Sequence, residues 1–138
     1  MTITAEEETG MTHDDVQGWL DRYIAAWRSY DPQAIGDLFS EDATYRYHPW
    51  DDPIEGRAEI VRAWTAPDGN ESSRDEPDTW DARYEPYAVD GDHAVAIGWS
   101  RYFVAGDTPE KLYHNVYLLE FDGDGRCRSF IEYFVEQK

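Results

Sequence analysis

From Thr79 onward the chain turns to stretches in which residue character alternates every second position, and this pattern restricts it to folds built on a large sheet. Alternate residues of a strand point to opposite faces, so period two is the mark of strand rather than helix. Trp80 to Val89 alternates and stops at Asp90-Gly91-Asp92, a hairpin-turn signal. His93 to Val104 returns, and Ala105 to Glu110, with Gly106 and Pro109, reads as a loop. Lys111 to Phe121 is the third long strand, and Asp122-Gly123-Asp124-Gly125 turns it into the fourth, Arg126 to Glu136. Neither face of these strands is plainly made for solvent. Phe130, Glu132 and Phe134 share one face of the last strand, and Ile131, Tyr133 and Val135 the other. In the third, Tyr113, Asn115 and Tyr117 oppose His114, Val116 and Leu118. One face is therefore expected to cover helices and enclose a cavity, and the other to pack against a second copy as a homodimer. A large exposed apolar sheet face is a liability in a monomer.

The helices precede the strands. Thr12 followed by Asp15 forms a capping-box-like start, with Asp14 and Asp15 in the first turn where the helix dipole favours acids. Val16, Leu20, Tyr23, Ile24 and Trp27 then fall on one face of a helix running to about Ser29. Asp31-Pro32 starts a second helix, cap then proline at the first helical position. Ile35, Leu38 and Phe39 form its apolar face and Ser40-Glu41-Asp42 its end. Ala43 to Tyr47 reads as a strand that meets His48-Pro49-Trp50, where the proline ends any regular ladder. An acidic loop follows, and Gly56 opens a short helix with Ile60, Val61 and Trp64 at helical spacing. The polar stretch 66–78 reads as a mobile loop within one domain. Helices followed by a strand meander define an α+β order. The expected organisation is an acidic tail over residues 1–11 and one domain over 12–138.

Charge excludes whole classes of partner. A formal charge of −18 on 138 residues repels nucleic acid and anionic membranes, so neither is expected as a partner. No apolar run is long enough to span a bilayer. The acidic N-terminus lacks the apolar core of a secretion signal, which makes the cytoplasm the expected compartment. The single Cys127 rules out an internal disulfide, and no Cys/His cluster offers a zinc site. Asp122-Gly-Asp-Gly lacks the ligand set of a calcium loop, and Asp51-Asp52 reads as a solvated pair. No metal and no cofactor is expected. Six Trp and ten Tyr point instead to a core or cavity of large rings with polar tips.

The order of these segments carries a resemblance. Helix, short helix, LFSEDATYRYHPW, GRAEI and four long strands closing with DGDGRCRSFIEYF resemble the nuclear transport factor 2-like, or SnoaL-like, superfamily over about residues 12–136. That resemblance implies a cone: a curved antiparallel sheet wrapped around three N-terminal helices, with a pocket at its open end. Members include ketosteroid isomerase, limonene-epoxide hydrolase, scytalone dehydratase and polyketide cyclases, and others bind without chemistry, so the fold leaves the reaction open. By resemblance to the isomerase, Tyr23 falls on an oxyanion-hole tyrosine and Tyr117 on a second oxyanion-hole acid. The catalytic aspartate falls on Tyr47 read without a gap, or on His48 aligned on the proline. By resemblance to the hydrolase, Glu132 falls on a catalytic aspartate and Arg101 on an arginine. Phe103 stands at the second aspartate, and Tyr45 and Tyr47 lie near the water-holding residues.

Read as chemistry, His48 is the sharpest candidate, since an imidazole ionising near pH 6.5 exchanges protons at neutral pH. The plainer reading is a strand-end histidine bonded to a neighbouring loop. Glu132, between Phe130 and Phe134, must be paired or protonated if buried. Arg101, in step with Trp99 and Phe103, is its expected partner across the sheet, orienting a ligand or fixing the cone. Tyr23, Tyr45, Tyr47, Tyr113 and Tyr117 can present hydroxyls to a developing oxyanion or serve as aromatic core. Asn115 can bind a carbonyl or satisfy a strand neighbour. Trp27, Trp64, Trp99, Phe130 and Phe134 are expected to form the cavity wall. His114 is placed at a sheet interface, and His13 and His93 on the surface. Two classes of function follow. One is metal-independent acid–base chemistry on a small, mostly apolar, oxygen-bearing molecule, with isomerisation, dehydration or cyclisation as the reaction type. The other is a ligand-binding or protein-interaction domain without turnover.

Overall fold

A capping box starts the first helix. In the computed structural model, which describes residues 10–69, 75–103 and 110–138, the Asp15 amide donates to Thr12 Oγ1 and the Thr12 amide to Asp15 Oδ2, both at 3.0 Å. Such a cap stabilises a helix by about 1 kcal/mol. Helix α1, His13–Ser29, ends at Tyr30, whose backbone is left-handed (φ 52°) and donates to the Ala26 carbonyl. Helix α2, Pro32–Gly36, is capped by Asp31. It is shorter than its apolar spacing implies. Phe39 and the Ser40–Asp42 segment belong to strand β1, Phe39–Arg46, because the Leu38 carbonyl accepts from the Cys127 amide (2.8 Å) and draws the chain into the sheet.

Within the acidic loop, Ile54–Glu55 forms a two-residue strand, β2, against Thr44 and Tyr45. Helix α3 follows at Arg57–Thr65, and Gly56 enters it at φ 91°, a conformation that favours glycine. The four long strands are β3 Trp80–Asp90, β4 His93–Tyr102, β5 Lys111–Phe121 and β6 Cys127–Glu136. The order in the sheet is β2-β1-β6-β5-β4-β3. The meander β3 to β6 is antiparallel as expected, whereas β1 lies parallel to β6, so the six-stranded sheet is mixed. Consecutive strands that pair with one another in a meander alternate in direction. The helices between β1 and the meander free β1 from that rule. Of the expected tail and loops, residues 1–9, 70–74 and 104–109 lie outside the described residues.

The sheet is curved and unclosed, with its core on the concave side, where α1 lies. Val16, Trp19, Leu20 and Tyr23 of α1 are buried there with Phe39, Tyr45, Phe121 and Phe130 of the strands. Trp19, which the helical pattern did not single out, packs edge-on against Phe39 and Phe121 and donates its indole N–H to the Leu38 carbonyl (2.9 Å). Strand β4 presents only Ala94, Ala96 and Gly98 to this side before Ser100. A Cβ on Gly98 would fall on the Arg83 carbonyl oxygen and the Tyr84 ring. The missing side chain is what lets Tyr84 lie across β4.

Candidate functional site

The concave face leaves a cavity of about 880 Å³ at the end of the sheet where β1 runs out and β5 begins. Helix α1 walls it with Tyr23 and Trp27, and α3 with Trp64. Strand β1 and the residues after it bring Tyr45, Tyr47 and His48. The meander contributes Tyr84, Ser100 and Tyr102, then Tyr113, Asn115 and Tyr117, then Glu132 and Phe134.

Phenols line its depth. The Tyr23 and Tyr45 hydroxyls are 3.3 Å apart, and both residues are buried. The Tyr23 ring lies nearly parallel to Phe130 at 5.6 Å and 11°, and Tyr45 stacks on the same Phe130 at 4.3 Å and 2°. The Tyr84 hydroxyl interacts with those of Tyr117 and Ser100. Burial raises the pKa of Tyr23, Tyr45, Tyr84 and Tyr117, with the charge of Glu132 adding to it. All four therefore remain neutral donors at physiological pH, the state needed to bind a carbonyl or an enolate oxygen.

At the rim the chain turns at once after β1. The Asp51 amide donates to the His48 carbonyl (3.1 Å), and Arg46 Nε donates to the Asp51 carbonyl (3.0 Å). This turn carries the Asp51 carboxylate to His48 Nδ1 at 2.9 Å. The imidazole also stacks on the Trp50 indole at 4.8 Å and 18° and meets Phe134 at 5.3 Å. A carboxylate on Nδ1 holds the proton there and leaves Nε2 as the basic nitrogen. Asp51 is thus half-buried and engaged rather than solvated.

Glu132 sits opposite, at the end of a hydrogen-bond chain. Ser100 Oγ donates to Asn115 Oδ1 and Asn115 Nδ2 donates to Glu132 Oε2, each at 3.1 Å. Burial pushes the Glu132 carboxyl up to about 7, against the opposing pull of the Asn115 amide and the His48 imidazole. Near neutral pH the group is divided between acid and carboxylate, so it can give or take a proton within the working range of an enzyme.

The structure thus brings Tyr23, Tyr45, Tyr47, His48, Asn115, Tyr117, Glu132 and Phe134 to one cavity with Trp27 and Trp64. Three expected members are elsewhere. Arg101 does not reach Glu132: it pairs with Glu110 at 2.9 Å and is exposed on the other face. Trp99 shares that outer face, opposite His114. Strand β4 turns its small residues inward because α1 and the Tyr84 ring occupy the space, and its bulky and charged residues take the outside, except Tyr102 at the cavity end. Phe130 is not in the cavity wall but beneath it, fully buried, with its ring nearly parallel to those of Tyr23 and Tyr45. Residues not singled out beforehand complete the site. Tyr84 was legible from its alternation with Trp80, and Asp51 from its i,i+3 spacing to His48. Asp75, in a polar stretch, carried no signal. Among the described residues no cluster of His, Cys, Asp and Glu is arranged to hold a metal ion. No helix among them is long and apolar enough to cross a membrane.

Helices held against the concave side of a curved, unclosed sheet, with a cavity at one end, define the nuclear transport factor 2-like class of α+β domain. The chain belongs to the SnoaL-like domain family, whose model matches residues 20–130. Its fold is similar to that of an NTF-2-like protein of unknown function from Burkholderia xenovorans LB400. The TM-score is 0.65 at 18% identity, over 94% of this chain and 89% of that one. It is also similar to a candidate ketosteroid isomerase from Kribbella flavida DSM 17836, with TM-score 0.61 and 17% identity over 91% and 82% of the two chains. At these identities the likeness is one of fold. The chain has no match among curated proteins.

Proposed function

We propose that this protein binds a small, mostly apolar, oxygen-bearing molecule in the cavity and carries out acid–base chemistry on it, of the isomerase or dehydratase type. His48 Nε2 removes a proton from carbon next to a carbonyl, and the electron pair moves onto the carbonyl oxygen. The Tyr23 and Tyr45 hydroxyls stabilise that oxygen as an enolate. Neutral Glu132 then returns a proton, to carbon in an isomerisation or to a departing hydroxyl in a dehydration. Ser100 and Asn115 hold Glu132 in place. The observation that carries this reading is the 2.9 Å contact between His48 Nδ1 and the Asp51 carboxylate at the wall of a cavity that also contains Glu132. A positioned general base contributes roughly 10²–10⁴ in rate.

The test uses 2-tetralone, an apolar ketone with acidic α protons, in D₂O. The protein is expected to speed exchange of those protons well above buffer, and His48→Ala to remove most of that gain. Binding of 2-tetralone with exchange no faster than buffer would replace the enzyme reading by a binding domain without turnover. We also propose that the outer face of the sheet pairs with a second copy. Its centre is the apolar array of Ile97, Val116 and Tyr133, flanked by Val95, Leu118 and Ile131. In a chain with 30 acidic residues, the carboxylates of this face, Glu85 beside Ile97 and Glu120 beyond Leu118, stand at the margin of the array, and its centre is where two like-charged copies can approach.

A further inference from the structure

A second corner of the cavity, where Trp27, Tyr30, Asp75 and Tyr102 meet, is not used by the acid–base reading. We propose that this corner is a subsite for a basic nitrogen, so that the ligand carries an ammonium group at one end and its reacting oxygen-bearing carbon at the other. The inference rests on the cavity reading above and specifies its substrate class.

Asp75 is held at two points, one on its carboxylate and one on its backbone. Trp27 Nε1 donates to Asp75 Oδ2 at 3.1 Å, and the Asp75 amide donates to the Tyr30 hydroxyl oxygen at 3.0 Å. A carboxylate has roughly four acceptor sites, and one indole N–H satisfies one of them. Among the described residues no basic side chain forms an ion pair with Asp75. Burial pushes its pKa upward and the Trp27 bond only partly offsets this, as expected for a carboxylate with no counter-ion among the described residues. A bound cation would remove that cost.

The surrounding rings suit the same ligand. The Trp27 and Tyr102 rings lie 6.5 Å apart at 58°, and Tyr102 meets Tyr113 edge-on at 5.8 Å. An ammonium beside the carboxylate and over one of these ring faces is attracted through the ring quadrupole as well as through charge. The outer side of the same stack already does so: Trp27 lies on Trp80 at 3.6 Å, and the Arg28 guanidinium sits over Trp80 at 4.6 Å. Lys111, the strand partner of Tyr102, also borders the cavity, but it is exposed and unpaired with Asp75. A net charge of −18 concentrates cations near the molecule and depletes anions.

The experiment titrates three probes of similar shape, phenethylamine, 2-phenylethanol and 3-phenylpropionate, into the protein, following amide and indole signals by ¹H–¹⁵N NMR. Phenethylamine is expected to bind about tenfold tighter than the alcohol and to shift the Trp27 indole signal, with the carboxylate weakest. Asp75→Asn, which keeps an acceptor for Trp27, is expected to remove the amine preference and leave the alcohol affinity within about twofold. Equal affinities for the three probes, a preference for the carboxylate, no phenethylamine binding at millimolar concentration, or an unchanged preference in a folded Asp75→Asn would overturn the proposal. The probe series on the unaltered protein decides the matter even if the variant fails to fold. Because the readout needs no turnover, loss of the amine preference leaves the His48 chemistry standing, and failure of the exchange assay leaves the subsite standing.

Discussion

Glu132 shows how one residue acquires its chemistry from its surroundings. Its carboxyl is raised from 4.5 to about 7 by burial, so the folded state prefers the neutral form. A group whose folded pKa lies above its unfolded value stabilises the fold below the unfolded value and loses that contribution as pH rises through the folded one. The window is therefore 4.5 to about 7, and the contribution lost across it is at most about 3 kcal/mol. Glu132→Gln stays neutral and keeps an acceptor for Asn115. Urea unfolding is expected to find it close to the unaltered protein near about pH 5 and more stable by up to about 3 kcal/mol near about pH 8. Parallel stability curves over that range would mean that Glu132 titrates as an ordinary carboxylate. His48 was recognisable from its place after a strand and before Pro49. That it bonds a neighbouring loop and that it can act as a base prove to be compatible, because the loop residue it bonds is the Asp51 carboxylate.

At the scale of elements, β4 decides what the cavity contains. Its inward residues before Tyr102 are small, Ala94, Ala96, Gly98 and Ser100, so that α1 and Tyr84 have room. Gly98→Ala would set a methyl group against the Arg83 backbone, which cannot move away as a side-chain tip would. Overpacking of this kind costs about 1–3 kcal/mol, and a clash with backbone belongs at the upper end. A fall in unfolding free energy of that size is expected in denaturant titration, and a change below about 0.5 kcal/mol would show that β3 shifts freely. The same strand explains the misplacement of Trp99 and Arg101. Bulk argues for the inside when a face is chosen from sequence, yet a strand crossed by another ring must put its small residues there. Pro86 in β3 is consistent with an edge position, where an absent amide donor costs no ladder bond.

For the whole molecule, the two faces of the sheet divide the work. The concave one holds the core and the cavity, and the convex one exposes Val116, Leu118, Tyr133 and Val135. Pairing of two copies through that face predicts a dimer in sedimentation velocity. Val116→Asp, at the centre of the array, is expected to yield a folded monomer, since like charges directly across the interface are strongly unfavourable. A monomeric unaltered protein at micromolar concentration would remove the second copy from consideration.

Local chemistry was enough to determine most of the elements. The capping box, the alternating strands and the turns at Asp90-Gly91-Asp92 and Asp122–Gly125 depend on neighbours a few residues away. In the second turn Asp122 Oδ1 accepts from the Asp124 and Arg126 amides at 2.9 Å, a contact its position in the sequence already implies. Inward alternation on β5 and β6 was likewise legible, and with it Asn115, Tyr117 and Glu132. Three things were decided only by tertiary structure: the parallel seating of β1 on β6, the inward face of β4, and the placement of Asp75 and Trp19. Each rests on contacts between residues far apart in the chain, such as Tyr45 with Phe130 or Trp27 with Asp75. A sequence read by local propensity contains no term for which distant ring will fill a given space. That choice is made when the whole core packs at once.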